Sequence, residues 1–144
     1  MAVDLNLSDN REKLYINKEL YGEDRVIIFS LSDVNIFTRA DEAGKRIQEY
    51  FDAHKEAEPS DNDAAIAFIR EADAFIKEQI NYIFDYDASA AIFGNTSALS
   101  QVAGGKMYFE VFLDAVMPHI EQALKAAGNT MQQRTAKYTQ KYKK

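Results

Sequence analysis

The sequence predicts a mainly α (α+β) protein, an antiparallel bundle of three long helices with an N-terminal β-hairpin packed on it. Three observations carry that expectation. Beyond residue 33, apolar residues recur at intervals of three and four, the spacing that places one stripe along a helix. Ahead of them, two short β-rich runs flank a polar, Gly-containing break, the pattern of a hairpin. Only Pro59 and Pro118 interrupt the 144 residues, so long helices are permitted.

The hairpin is expected over about residues 13–31. Leu14 and Ile16 alternate with Tyr15 and Asn17, and Val26-Ile27-Ile28-Phe29 follows the break at Gly22-Glu23-Asp24. Residues 3–7 offer a third strand. Two strands alone are marginal in water, so docking on the helices is expected. The first long helix should run over about 33–57, capped by Ser32, with Ile36, Phe37, Ala40, Ala43, Ile47, Tyr50, Phe51 and His54 on its stripe. Pro59 punctuates it. Ser60 or Asp61 caps the second helix, about 61–86, with Ala65, Phe68, Ile69, Ala72, Phe75, Ile76, Ile80, Ile83 and Phe84 on one face. The short connection between these two helices implies antiparallel neighbours.

Residues 85–105 break the pattern, with a short helix expected at Ser97–Val102. The third long helix, about 105–127, carries Met107, Tyr108, Phe109, Phe112, Leu113, Val116, Met117, Ile120 and Leu124. Pro118 should kink it or end its first half, and Gly128 should cap its end. Residues 1–128 then form one globular domain, and 129–144 a basic tail that is helical or disordered. The expected core comprises Phe51, Phe68, Ile76, Ile80, Phe109, Phe112 and Leu113.

Composition removes several kinds of chemistry. Without cysteine there are no disulfides, thiolate metal sites or thiol nucleophiles. The start of the chain lacks the basic and apolar regions of a secretory signal, and no apolar run is long enough to span a bilayer, so the expected compartment is the cytoplasm. Gly105-Lys106 lacks the first Gly and the Ser/Thr of a phosphate loop. Asp85-Tyr86-Asp87 opens like a calcium loop, but Ala90 and Thr96 stand where Gly and Glu are needed. His54 and His119 have no second ligand at useful spacing and read as boundary residues. No catalytic, metal-binding or cofactor-binding residue is assigned, and the chain is not read as an enzyme.

Binding features remain. Tyr108, Phe109 and Phe112 crowd the third helix, with Phe93 before it. Core packing is the first reading of that density, and docking on another protein the second. The charge is also divided. Residues 1–127 hold twelve basic and twenty-three acidic residues, a balance of −11, whereas the last seventeen carry +5 from Arg134, Lys137, Lys141, Lys143 and Lys144. Interleaved Tyr and Lys can stack on bases, but the acidic body repels a phosphate backbone, so nucleic acid is not the expected partner.

A strand-rich start leads through Ile28-Phe29-Ser30-Leu31-Ser32-Asp33 into two long helices. The loop Phe93-Gly94-Asn95-Thr96, an aromatic helix with Phe109, Phe112, Pro118 and Ile120, and a Lys/Tyr tail complete the pattern over residues 28–142. This order of parts resembles the small tail assembly chaperones of long-tailed bacteriophages and prophages of Gram-positive bacteria. The resemblance implies a non-enzymatic protein without cofactor, which coats the tape-measure protein, assists the major tail protein to polymerise, and leaves the particle. It implies a partner-binding role for Phe93, Gly94, Thr96, Tyr108, Phe109 and Phe112. The divided charge adds an expectation of self-association, with Arg134, Lys137, Lys141, Lys143 and Lys144 meeting the acidic body of another copy. Alternatives are a structural head–tail connector or tail-completion protein, and a small nucleic-acid-binding regulator using the tail. Purified virions separate the first two readings: mass spectrometry should find a connector in the particle and no assembly chaperone.

Overall fold

A computed structural model describes residues 1–7, 11–30, 33–55, 61–102 and 104–142. Strands β1 (Arg11–Tyr15) and β2 (Val26–Ser30) pair antiparallel, with Lys13 opposite Ile28 and Leu14 opposite Ile27. Alternation turns Ile27 and Phe29 into the core and leaves the intervening positions half-buried. The connection is one helical turn, α1 (Lys18–Tyr21), entered through Asn17 in the left-handed region and left through Gly22, also at positive φ. Asn tolerates that conformation better than other residues with a Cβ. The expected third strand at 3–7 does not form. Val3, Leu5 and Leu7 alternate as a strand would, but the segment is exposed and pairs with no ladder, and an unpaired strand has no hydrogen bonds to hold it.

Helix α2 (Asn35–Ala53) is shorter at both ends than the expected 33–57. Ser32, its expected cap, lies outside the described residues. At the start of the helix Asp33 accepts the Asn35 N–H at 3.0 Å and holds Arg39 at 2.9 Å. At the other end His54 donates its N–H to the Tyr50 and Phe51 carbonyls, in keeping with its reading as a boundary residue. Pro59 and Ser60 lie outside the described residues. Asp61 caps α3 (Asn62–Phe84), its carboxylate accepting the Ala64 N–H at 2.7 Å. The two helices are antiparallel neighbours. Tyr50 stacks on Phe75 at 4.4 Å between centroids, Arg46 reaches Gln79, and Arg39 donates to the Ile83 carbonyl at 2.9 Å.

The short helix is α4 (Ser89–Phe93), not Ser97–Val102. Asn81 accepts the Ser89 N–H at 2.8 Å, and Asp87 accepts the Ser89 hydroxyl at 3.0 Å, so a local polar network starts the helix there. Residues near 97–102 are drawn out by other bonds. Ala98 donates to Asp73 at 2.7 Å, Gln101 bridges Met107, and Val102 donates to the Lys106 carbonyl. Gly104 and Gly105, both at positive φ, turn the chain between those partners.

Helix α5 (Tyr108–Tyr142) runs through both Pro118 and Gly128. Pro118 does not end it, because Val116 and Ile120 are buried on either side and packing outweighs the one missing N–H. Gly128 does not cap it, since its weak intrinsic preference of about 1 kcal/mol leaves the helix free to continue. His119 accordingly lies inside a helix rather than at a boundary, with Nδ1 3.2 Å from Glu12 of β1. Of the tail residues, Lys137 and Lys141 fall on the helix backbone, while Lys143 and Lys144 lie outside the described residues.

The core is built from Ile27 and Phe29, Ile36, Ala43 and Ile47, Ile76, Ile80 and Ile83, Ile92 and Phe93, and the α5 row Phe109, Phe112, Val116 and Ile120. Four of the seven expected core residues are buried, namely Ile76, Ile80, Phe109 and Phe112. Phe51 and Leu113 pack half-buried against this cluster. Phe68 is half-buried beside His54, with ring centroids 5.6 Å apart. Replacing Phe93 by Ala should lower stability by roughly 3–5 kcal/mol in urea unfolding, whereas removing the Asp61 cap should cost about 1 kcal/mol. Equal losses would contradict this placement of the core.

Candidate partner-binding groove

The stripe on α2 is wider than α3 alone can cover, and α5 closes only part of the remainder. Helices α2 and α5 touch at one end, where Phe51 stacks on Phe109 at 6.0 Å. Toward the other end a cleft of about 490 Å³ opens, lined by Phe37, Ala40, Ile47, Ile83, Leu113 and Met117, with Asp41, Lys45, Gln48 and Glu121 among its polar residues. A second cleft of about 240 Å³ shares Gly44, Ile47, Gln48 and Leu113 with the first and extends to Met107, Phe109 and Glu110. Together they form one groove along the helix pair, with an apolar floor and a charged rim.

Gly44 occupies this groove in the middle of α2, where glycine is a poor helix residue. No atom lies within 4 Å of where its Cβ would stand, and its φ is that of an ordinary helix, so nothing inside the fold requires a glycine. What it does provide is a bare stretch of helix backbone that another chain can approach closely.

The rim charges are mostly engaged. Asp41 binds Lys45 at 3.0 Å, and that hydrogen bond, with the charge behind it, raises the Lys45 pKa. Glu110 accepts the Met107 N–H at 3.1 Å and so caps the start of α5. Outside the groove, Lys106 binds Asp114 at 2.8 Å, which raises the lysine pKa in the same way. On the α2–α3 side, Tyr82 donates to Glu42, and this bond is the main reason its phenol pKa lies above the usual value. Tyr50 is raised too, first by burial and then by the charge of Glu71.

The residues expected to bind a partner are brought together, but mostly inside the molecule. Phe93 is fully buried, with Tyr108 and Phe112 edge-on at 5.1 and 6.5 Å. Phe109 and Phe112 are also buried, so the core reading is the one these three aromatics realise. The Tyr108 hydroxyl donates to the Ile92 carbonyl at 3.2 Å. Gly94, at φ +57°, has the Arg25 guanidinium against it, and an added methyl group would stand 3.0 Å from the guanidinium carbon. Arg25 in turn lies over the Tyr21 ring at 3.8 Å, so Gly94 gives the hairpin its seat on α4. Thr96 is exposed. Among the basic residues, Arg134 is exposed on the distal part of α5.

Sequence reasoning passed over Gly44, Leu113 and Met117 as binding residues. The signal was present: Leu113 and Met117 broaden the α5 stripe beyond the row that a single neighbour fills, and Gly44 breaks the helical preference of α2 without ending it. Among the described residues no group of three or more His, Asp or Glu is placed to hold a metal ion, and no helix is long and apolar enough to cross a membrane.

Compared with family models, curated proteins and solved structures, the chain matches none.

Gly44→Ala should stabilise the isolated chain by about 0.5–1 kcal/mol in thermal unfolding, since the new methyl group meets open space and favours the helix. A destabilised variant would reveal a packing role for the glycine. The raised phenol of Tyr82 also fixes a sign. A phenol held neutral in the fold stabilises it below the unfolded-state pKa, and that contribution is lost as alkaline pH rises through the folded value. Tyr82→Phe should therefore flatten the alkaline limb of the stability profile. An unchanged limb would show that the Glu42 contact does not persist in solution.

Proposed function

We propose that this protein is a non-enzymatic assembly chaperone whose α2–α5 groove shelters an apolar helical segment of a phage tape-measure protein. The observation that carries the reading is the open groove with a glycine in its wall. Apolar floor, charged rim and a length of several helical turns are the features of helix-in-groove recognition, in which a partner helix inserts side chains at every third and fourth position. Gly44 supports close approach of such a helix, as small residues do wherever two helices come together.

The resemblance in chain order to tail assembly chaperones supplies the identity of the client and the setting of the host cytoplasm. The aromatic residues that carry the resemblance act in this reading as the frame of the groove: Phe109 lines it directly, while Phe93 and Phe112 hold α5 in place behind it. The acidic body keeps many copies apart on one client and soluble as a coat.

The test is coexpression with helical fragments of a phage tape-measure protein. Soluble complexes should form with the native chain and be lost with Leu113→Glu, which places a charge on the apolar floor. Gly44→Leu, which fills the open space beside α2, should weaken binding by about tenfold or more, equivalent to about 1.4 kcal/mol. Complexes that survive both substitutions would exclude the groove as the client site.

A further inference from the structure

We propose that, when no client is present, the groove of one copy is filled by the distal part of α5, residues 124–138, of a second copy. The inference rests on the groove reading and names a second, competing occupant of the same site.

Geometry makes the contact intermolecular. Helix α5 lines the groove only as far as Glu121 and then continues unbroken to Tyr142, about 31 Å further at 1.5 Å per residue. The groove ends where this extension begins, so the extension cannot reach its own groove without breaking the helix that forms the wall. The projecting part also carries a seam. Ile120, Leu124, Ala127 and Met131 follow intervals of four, three and four, with Arg134 and Tyr138 at the next positions of the same rhythm. That is the spacing of a helix that packs along another helix. Ile120 is buried by the fold, but Met131 is 63% exposed, so the seam runs on past the point where this copy covers it.

Charge selects the occupant. The charged residues lining the groove are Asp41, Glu110 and Glu121 against the single Lys45. Beyond Glu121 the chain has no acid, while Lys125, Arg134, Lys137 and Lys141 lie along α5. Two such extensions laid side by side would bring like charges together, whereas an extension in a groove sets basic against acidic. The lengths also correspond. From Phe37 to Phe51 the groove wall on α2 spans about 21 Å, as do residues 124–138 of a helix. Because groove and extension are different surfaces, each copy has one of each to offer, and repeated copies can join head to tail into a chain or a ring. A client helix and a neighbour's extension then exclude one another.

Sedimentation velocity with three full-length chains tests this. The native chain should show a mass that rises with concentration and falls in high salt. Gly44→Arg, which adds bulk and positive charge in the groove, and the triple variant K125E/R134E/K137E should each be monomeric alone, with unchanged circular dichroism. Mixed in equal amounts they should form a one-to-one dimer that grows no further, since each supplies the surface the other lacks. A native chain that stays monomeric, a triple variant that still associates alone, or a folded mixture that remains monomeric would overturn the proposal. Binding of a tape-measure fragment to the triple variant reads the client function separately. Client binding without dimer formation overturns the self-occupancy alone, and dimer formation without client binding overturns the client reading alone.

Discussion

The fold depends on burying Phe93. This ring sits where the short α4, the α3 helix and the start of α5 meet, with Tyr108 and Phe112 against its edges and Lys77 extended across its face at 5.8 Å. Lys77 is fixed by Asp73, and the same carboxylate takes the Ala98 N–H, which pins the chain as it turns toward α5. One residue further on, Gly94 receives Arg25 from the hairpin. An apolar ring, an ion pair and a glycine thus gather the sheet, the α3 helix and the α5 helix at a single point. Everything about the groove follows, because its second wall is α5 and the position of α5 is decided here.

Period and capping chemistry made most of this readable in advance. On the α3 stripe Ala72, Ile76, Ile80, Ile83 and Phe84 are buried as its spacing demands, and Asp61 caps the helix it precedes. The hairpin is present as well, although its connection uses an Asn and a Gly at positive φ around a helical turn. What failed were judgements in which local preference competes with distant partners. Pro118 and Gly128 are poor helix residues, yet α5 passes both. The 97–102 stretch looks helical by itself, but Asp73, twenty-five residues away in sequence, and the Gly104-Gly105 turn take its hydrogen bonds elsewhere. Segment 3–7 has the alternation of a strand and no ladder to join.

The site shows the opposite bias. Aromatic density drew attention to Phe93, Phe109 and Phe112, which the fold consumes, and away from a glycine. An aromatic side chain is costly to leave in water, so it is the first residue a fold buries. A surface that must remain open for another molecule is better made from what is missing, and a glycine in a helix is such an omission. Its small penalty in helix stability is spread over every copy of the free protein, which is the usual direction of conflict between stability and binding.

The long α5 helix also gives the molecule an electrical direction. A net acidic body and a basic helical extension give the molecule a permanent dipole. In solution such particles turn one another before they touch, and the torque reaches about 8–10 Å through physiological salt before it is screened. Ionic strength should therefore act chiefly on how often two copies meet in a productive orientation, and much less on how long they stay together once apolar surfaces are in contact. In the assembly role proposed above, fast orientation would matter more than a lasting bond.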